Sequence, residues 1–535
     1  MKHFKLKIRV TFLGMLMILI VFSCQDINLE DQQSEALVDL RSAVAGKYIV
    51  TLHSNEINFQ KNGKYEDVQS WMRQLSNEVL FRNGIKNKEA INVYGYAFNG
   101  FSVDLNASEI ELLNKDKGVK QIILDQSTGE QLNLRNNNPR RGGGDEPTPE
   151  QDPEPAPDIK PEWYLDRIAQ RQLPLNGKFE SNSTGAGVTV YMVGLPVSEE
   201  LKEIFGERAN NVDLTVGKDS VPEGFLSVGI LKAAVLGGNK YGVAKGVNIV
   251  GLETIYEGVD ISVDLYLKPL EWIMANGKRP GIVLFPGIAF KPGGELEDLL
   301  EKTIGKLFDD GFSFFANGWQ GEHRCDLLPS KLNSVFTVGA SSFDDRMVQS
   351  SSGSCIDLFA PGINYFKEGF PEYPILENLD KNFDNPASLA AGVAALYLED
   401  KSNADPQEVY DFLFETSTKD VVRFSSSINN HLLYSGLDTI GAGEIDPKRN
   451  TYAFDLEASA LKNRNNNYTV VFYWGKIESE SGMLNVYQDG EGVGSVPNGG
   501  SYMINVSGRD LSPRTYKFCV PKTNLCSNEV VVSFN

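Results

Sequence analysis

The chain has 535 residues, of which 41% are hydrophobic, and a formal net charge of −20. This length exceeds what one hydrophobic core supports and indicates several domains. The negative charge argues against nucleic acid as a partner, because phosphate binding requires clustered Lys and Arg. It is typical of a protein that must stay soluble outside the cytoplasm.

The N-terminus has the pattern of an export signal. Basic residues precede an apolar stretch at 10–22, which is short for a membrane-spanning helix. The stretch ends at Ser23-Cys24, which resembles a bacterial lipobox, where the cysteine thiol receives the lipid. We therefore expect residues 1–24 to be a lipoprotein signal peptide. Cys24 would then anchor the exported chain to the envelope of a Gram-negative bacterium, at the outer membrane, facing the periplasm or the cell surface. The alternative is a plain secretory signal with an incidental cysteine.

Four further cysteines follow Cys24 in the chain. An even number in an exported protein indicates disulfides, and their order suggests the pairs Cys325–Cys355 and Cys519–Cys526. No Cys or His cluster has the spacing of a metal site. The sequence therefore predicts no cofactor, and no loop carries a ligand pattern that would support a structural calcium ion.

Residues 47–126 read as a small β-α-β-α-β unit. The order predicts a sheet with helices on one face. The predicted elements are a strand at 48–52, a helix at 66–81, a strand at 98–105, a helix at 108–114 and a strand at 119–124. Residues 127–162 are rich in Pro, Gly and acidic residues, which cannot bury a core, and are predicted to be a disordered linker.

Residues 163–437 alternate short apolar strands with helical stretches. Runs that are apolar on both faces, separated by helices, predict a parallel sheet covered on both sides. The predicted strands are 187–193, 247–252, 281–285, 312–315 and 335–339. Residues 450–535 contain only strand-like segments, with a tight Asp489-Gly490 turn, and predict a β-sandwich.

Several blocks of the chain, in order, resemble proteinase K-like members of the subtilisin family of serine peptidases. The blocks are Trp163-x-Leu165-Asp166-Arg167-Ile168, Gly185-x-Gly187-Val188-Thr189-Val190-Tyr191, Tyr241-Gly242-Val243-Ala244-Lys245-Gly246, Thr337-Val338-Gly339-Ala340-Ser341-Ser342, Cys355-Ile356-Asp357-Leu358-Phe359-Ala360-Pro361-Gly362 and Gly392-Val393-Ala394-Ala395-Leu396-Tyr397-Leu398. The resemblance implies a subtilisin-like α/β fold for residues 163–437. It implies a propeptide (inhibitor)-like domain for 47–126 and a fibronectin type III-like, immunoglobulin-like sandwich for 450–535. In relatives, a disulfide stands at the positions of Cys325 and Cys355.

Counting from the same blocks locates the positions at which the family carries its catalytic residues. The family requires an Asp, a His, a Ser nucleophile and an oxyanion-hole Asn. The frame places Gly194, Val228, Asp384 and Trp319 at these four positions, in that order. The four histidines are His3, His53, His323 and His431, and none falls on the expected helix. Ser388 lies one helical turn beyond Asp384, about 6 Å deeper, and is expected to pack. The resemblance therefore predicts a degenerate site without catalytic residues.

These observations predict a catalytically inactive pseudoprotease that binds an unidentified protein or peptide partner, or acts by regulation, at the envelope membrane. One alternative is a residual or non-standard peptidase activity that depends on Asp384 or His323. Another is inhibition of an active subtilase in trans by the propeptide-like domain. Without self-cleavage this domain should stay attached. In the substrate-strand segment, Pro286 lacks an N–H donor, which should weaken peptide binding in the old cleft.

Overall fold

The computed structural model describes three units, called here the first unit (45–125), the large unit (163–436) and the last unit (456–534). The described residues are 45–59, 63–125, 163–197, 202–215, 223–256, 262–287, 294–318, 325, 327–347, 355–362, 386–423, 425, 427, 429–436, 456–462, 468–474, 483–498, 501–506, 512–521 and 526–534. The predicted signal peptide with Cys24, the predicted linker at 127–162, Trp319, His323 and Asp384 lie outside them. No helix in this described part is both long and apolar enough to cross a membrane.

The first unit is an antiparallel sheet of four strands with two helices, in the strand order β2-β3-β1-β4. Its elements are β1 (Gly46–Leu52), α1 (Tyr65–Arg82), β2 (Val93–Tyr94), β3 (Gly100–Leu105), α2 (Ala107–Leu113) and β4 (Val119–Leu124). The core forms because Val50 and Phe101 of the sheet pack against Val68 and Met72 of α1, all fully buried. The sequence predicted these elements except the two-residue β2, which is too short to show a pattern.

The large unit is built on a sheet with nine described strands, in the order β12-β13-β11-β10-β9-β8-β5-β7-β6. Every strand pair is parallel except β12 with β13. In chain order the elements are α3 (Trp163–Ile168), β5 (Thr189–Gly194), α4 (Lys202–Phe205), β6 (Ala209–Asp213), α5 (Glu223–Gly237), β7 (Asn248–Glu253), α6 (Asp264–Asn276), β8 (Gly281–Leu284), α7 (Gly294–Asp309), β9 (Phe312–Asn317), β10 (Val335–Ser341), β11 (Leu358–Pro361), α8 (Pro386–Asp400), α9 (Pro406–Thr416), β12 (Thr418–Lys419) and β13 (His431–Leu432). The predicted α/β class is confirmed.

The central strands are buried on both faces, since helices cover the sheet on both sides. Every residue of β5, β8, β9 and β10 is buried. β5 lies between β7 and β8 in the sheet. The strands β6 and β7 that follow it in the chain lie on one side of it, and β8 and β9 lie on the other. The carboxyl end of β5 is therefore a topological switch point, where open α/β sheets place their ligand sites.

The last unit consists of two antiparallel sheets that share one core. The sheets are β14-β15-β18 and β17-β16-β19-β20. Their strands are β14 (Leu456–Lys462), β15 (Tyr468–Trp474), β16 (Met483–Gln488), β17 (Glu491–Pro497), β18 (Ser501–Val506), β19 (Arg514–Cys519) and β20 (Val530–Val532). Phe472 and Trp474 of one sheet pack against Phe518 of the other. This is the predicted β-sandwich, while its likeness to fibronectin type III remains a prediction.

Asp357, just before β11, has a partly buried carboxyl group that makes the stability of the fold depend on pH. Its side chain accepts a hydrogen bond from the Thr337 amide at 2.7 Å. Burial raises the pKa of Asp357 from 3.8 to about 6. The folded protein therefore holds this proton more tightly than the unfolded chain does. The stability it contributes is present below pH 4 and is lost as the pH rises through 6.

We expect this group to lower the free energy of unfolding by roughly 2–2.5 kcal/mol between pH 4 and pH 7. The measurement is urea unfolding at a series of pH values on the protein and on Asp357→Asn, which cannot titrate. The variant should lack this part of the pH slope. An identical slope in both proteins would show that Asp357 titrates normally.

Candidate functional site

The carboxyl end of β5 holds the first of the positions predicted for catalysis. β5 ends at Gly194, which is buried and has a φ of 76°, a left-handed conformation that a side chain strains. A Cβ built on Gly194 would lie 3.4 Å from the Thr254 hydroxyl and 3.5 Å from Ile255. This position offers no group that could orient a histidine.

Val228, the position predicted for the general base, lies on α5 near the same edge. It is 4% exposed. The next residue, Gly229, is so close to the Pro196 carbonyl oxygen that a Cβ there would overlap it. α5 is thus fixed against the segment that follows β5. The structure brings Gly194 and Val228 to one edge of the sheet, and neither side chain can accept a proton.

The N-terminus of α8 reaches the same edge through Asn317, a residue that the sequence analysis did not single out. Asn317 ends β9, and its side-chain oxygen accepts a hydrogen bond from the Ala387 amide at 3.0 Å. Ser388 in the first turn of α8 is fully buried, and its hydroxyl has no hydrogen-bond partner among the described residues. Ser388 is therefore packed, as expected. The roles of Gly194, Val228, Trp319 and Asp384 stay predictions.

Replacing Asn317 by Ala should cost about 1–2 kcal/mol of stability, since the α8 amide loses its acceptor. Urea unfolding measures the change. Asn317→Asp keeps an acceptor oxygen beside a helix N-terminus, and we expect it to lose less stability than Asn317→Ala. Equal losses in both variants would mean that the hydrogen bond contributes nothing.

The described histidines do not provide a substitute base. His53 is exposed in the first unit. His431 Nδ1 lies 2.8 Å from the Ser417 hydroxyl, but this hydroxyl already donates to the Phe414 carbonyl at 2.6 Å. The imidazole must then donate to Ser417, which is the opposite of general-base geometry. β13, which carries His431, also lies five strands from β5, about 24 Å away.

Glu271 of α6 binds the first unit to the large unit. Its side chain is fully buried. Its carboxylate accepts hydrogen bonds from three consecutive amides, Gly95 at 2.6 Å, Tyr96 at 2.9 Å and Ala97 at 2.6 Å. These partners lie 174 to 176 residues away in the chain, so no local pattern could have revealed them.

A second polar contact between the two units lies at the start of α6. Lys47 of β1 forms ion pairs with Asp264 and, at 3.4 Å, with Asp125. Asp125 also accepts a hydrogen bond from the Val263 amide at 3.1 Å. Burial alone would lower the pKa of Lys47, but the two carboxylates raise it above its usual value and keep the amine charged. Apolar contacts accompany these pairs, because Ile49, Tyr94 and Ile123 of the first unit belong to the large unit's core cluster.

A cleft of about 740 Å³ opens between the first unit and α7. Its charged lining residues are Lys120, Lys302, Lys306, Glu295, Asp298 and Asp309. It includes none of the positions predicted for catalysis. Across the described residues, no group of three or more His, Cys, Asp or Glu could hold a metal ion.

Comparisons with known proteins give relatives for the first unit and for most of the chain. Residues 47–128 match the family Peptidase inhibitor I9. The chain is 27% identical over 399 residues to the alkaline serine exoprotease A of Vibrio alginolyticus, covering 74% of this chain and 68% of that protein. It is 26% identical over 397 residues to the extracellular serine proteinase of Thermus sp. (strain Rt41A), covering 73% and 89%.

The chain is thus similar to these serine proteases over about three quarters of its length. A crystal structure of a cold adapted subtilisin-like serine proteinase is 28% identical, covers 51% of this chain and 97% of its own, and superimposes with a TM-score of 0.44. Within the subtilisin-like fold, the first unit is the propeptide-type domain of the I9 family. The predicted disulfides Cys325–Cys355 and Cys519–Cys526 are both formed.

Proposed function

We propose that this chain is a catalytically inactive subtilisin-like protein that binds a protein or peptide partner at the bacterial envelope. The proposal rests on the side chains present at the carboxyl end of β5. In the family frame, Gly194 and Val228 stand for the carboxylate and the imidazole that a serine protease requires, and both are buried without a group that could take a proton. In the family frame Asp384 and Trp319 replace the nucleophile and the oxyanion-hole Asn. Each such loss removes orders of magnitude in rate.

The contacts of Glu271 and Lys47 support a first unit that remains docked. A chain without a catalytic triad cannot cut itself and so cannot release this unit. The partner would then meet a surface formed by both units together. Pro286, which lies buried two residues after the end of β8, supports a partner contact outside the old substrate strand, because it offers no N–H donor there.

Export and lipid anchoring through Cys24 belong to the same proposal. The two disulfides support an oxidising compartment. The Thermus relative is described as extracellular. The anchor itself rests on the Ser23-Cys24 sequence, and metabolic labelling with palmitate should mark the protein but not Cys24→Ser.

The deciding experiment is the intact mass of the chain that begins at Gln25, measured before and after several days of incubation. We expect an unchanged mass. A cut between residues 126 and 163 that disappears in Asp384→Asn or His323→Ala would overturn the proposal and establish a peptidase. A variant with Arg140 and Arg141 replaced by Ala is the control, since a cut that only this variant abolishes comes from another protease.

A second candidate function is inhibition of an active subtilase in trans, and the match to Peptidase inhibitor I9 favours it. The test compares the isolated segment 45–125 with the full chain against an active member of the family. Inhibition by the segment alone would mean that the docked arrangement hides an inhibitory surface. Absence of inhibition by both would remove this candidate.

A further inference from the structure

The cleft of about 740 Å³ between the first unit and α7 has the dimensions of a binding site. Ligand sites in proteins measure roughly 300–1,000 Å³. Both units contribute walls: Thr51 and Gln121 of the first unit's sheet line one side, and a face of α7 lines the other. The cleft therefore exists only while the first unit stays docked on the large unit.

Thr51 turns a buried hydroxyl toward this cleft. Its neighbours in β1, Val50 and Leu52, belong to the first unit's own core, so Thr51 lies on the opposite face of the strand, toward the large unit. Thr51 is 7% exposed, and its hydroxyl has no hydrogen-bond partner among the described residues. A buried hydroxyl without a partner costs stability, so a ligand that bonds to it recovers that loss.

Gln121 provides further hydrogen-bonding groups beside Thr51. The two residues are paired across β1 and β4, so their side chains lie next to each other on the same face of the sheet. The Gln121 side chain supplies two N–H donors and an acceptor oxygen. This wall thus presents both donors and acceptors, which is what a peptide backbone requires.

The opposite wall contains a glycine that packing does not require. Gly305 lies inside α7 and lines the cleft. A Cβ built on Gly305 would meet no atom of the described residues within 4 Å. Glycine destabilises a helix interior relative to alanine. The missing side chain leaves room for the backbone of a ligand to approach the helix closely.

The stretch of α7 along the cleft is long and carries both signs of charge. From Glu295 to Asp309 the helix rises about 21 Å, which is the length of about six residues in an extended chain. Its first turns carry Glu295 and Asp298. Lys302 and Lys306 follow in the next two turns. Lys302 and Asp298 are 4.0 Å apart and largely exposed, so their charges remain accessible to a ligand.

We propose that this cleft binds an extended peptide segment of the partner protein that carries both a basic and an acidic side chain. In the complex, the peptide backbone passes close to Gly305 and forms hydrogen bonds with Thr51 and Gln121. The charged side chains of the peptide pair with the carboxylates and amines along α7. The inference rests on the proposed function and adds the place and the chemistry of the partner contact.

The experiment uses the immobilised chain from Gln25 and a synthetic library of hexapeptides with acetylated and amidated ends. Mass spectrometry identifies the retained peptides, and fluorescence anisotropy measures the affinity of the one retained most strongly. We expect the retained peptides to contain a basic and an acidic residue. Lys302→Glu should shift the selection toward peptides with more basic residues.

Two substitutions separate binding from folding. Gly305→Ala strengthens the helix but fills the open wall, and Thr51→Val removes the hydroxyl but keeps the shape of the side chain. Each should raise the unfolding midpoint by about 1–3 °C and weaken binding of the selected peptide about fivefold. The matched control is Thr418→Val on β12, outside the cleft, which removes another buried hydroxyl without a partner among the described residues. It should raise the midpoint similarly and leave the affinity unchanged.

The proposal is wrong if no peptide is retained, or if Gly305→Ala and Thr51→Val both bind the selected peptide as tightly as the parent. A chain that sediments as a dimer, and that Gly305→Leu converts to a monomer, would instead identify a second copy as the occupant and equally contradict a peptide. These results leave the proposed inactivity intact. Shortened peptides in the retained fraction would overturn the proposed inactivity and this inference together, so the two kinds of failure are distinguishable.

Discussion

Replacing Glu271 by Ala should release the first unit from α6. The substitution leaves the buried amides of Gly95, Tyr96 and Ala97 without their common acceptor. An unsatisfied buried N–H costs about 1–3 kcal/mol, so we expect a loss of roughly 4 kcal/mol in docking free energy. Hydrogen exchange of these three amides, followed by mass spectrometry, measures the change directly. They should exchange roughly a thousandfold faster in the variant.

Two further variants define what Glu271 contributes. Glu271→Gln keeps the shape but places an N–H₂ group opposite amide donors, so it should recover only part of the protection. Glu66→Gln removes an exposed carboxylate from the first turn of α1 and should leave the exchange rates unchanged. Protection that survives in Glu271→Ala would show that Lys47 and the apolar contacts hold the first unit without this carboxylate.

The strength of this docking bears on the proposed function. Lys306 adds a hydrogen bond to the Ala97 carbonyl at 2.5 Å, from a helix next to the one that carries Glu271. Polar contacts from α6 and α7 therefore converge on the loop between β2 and β3. In a chain that cannot cut itself, these contacts would make the first unit a lasting part of the mature surface.

The strands that a single sequence could predict are those whose burial follows a simple pattern. β5, β8, β9 and β10 are apolar on both faces and were predicted near their observed positions. β6, with the sequence Ala-Asn-Asn-Val-Asp, was missed because it is a half-exposed edge strand without apolar alternation. β17 was missed for the same reason, since most of its residues are exposed.

The residues of the candidate site also fall into those that the sequence could locate and those that it could not. Gly194, Val228 and Ser388 were found from neighbouring motifs, because the motif blocks fix their positions by counting. Asn317 and Glu271 were not, since their roles depend on amides 70 and 174 to 176 residues away. The burial of Lys232 in α5 was equally hidden, because a lysine in a helical stretch normally faces solvent.

The second large effect is expected from Arg167, whose side chain forms a fully buried ion pair. Its guanidinium donates to the two carboxylate oxygens of Asp345 at 2.6 and 3.1 Å, and to the Gln170 carbonyl at 2.6 Å. Both side chains are completely shielded from solvent. Arg167→Met leaves the Asp345 carboxylate buried without this cation and should cost about 3–5 kcal/mol of unfolding free energy.

The double variant Arg167→Met with Asp345→Asn tests whether the buried Asp345 carboxylate, left without Arg167, causes that loss. Asp345 has a φ of 62°, a conformation that Asn tolerates well, so the backbone should not be strained. Because the second substitution removes the buried charge, the double variant should be more stable than Arg167→Met alone when urea unfolding is followed by tryptophan fluorescence. A double variant that loses as much as the sum of the single losses would contradict this explanation. Since α3 is the first described element after the predicted linker, the pair also determines how firmly the chain entering the large unit is held.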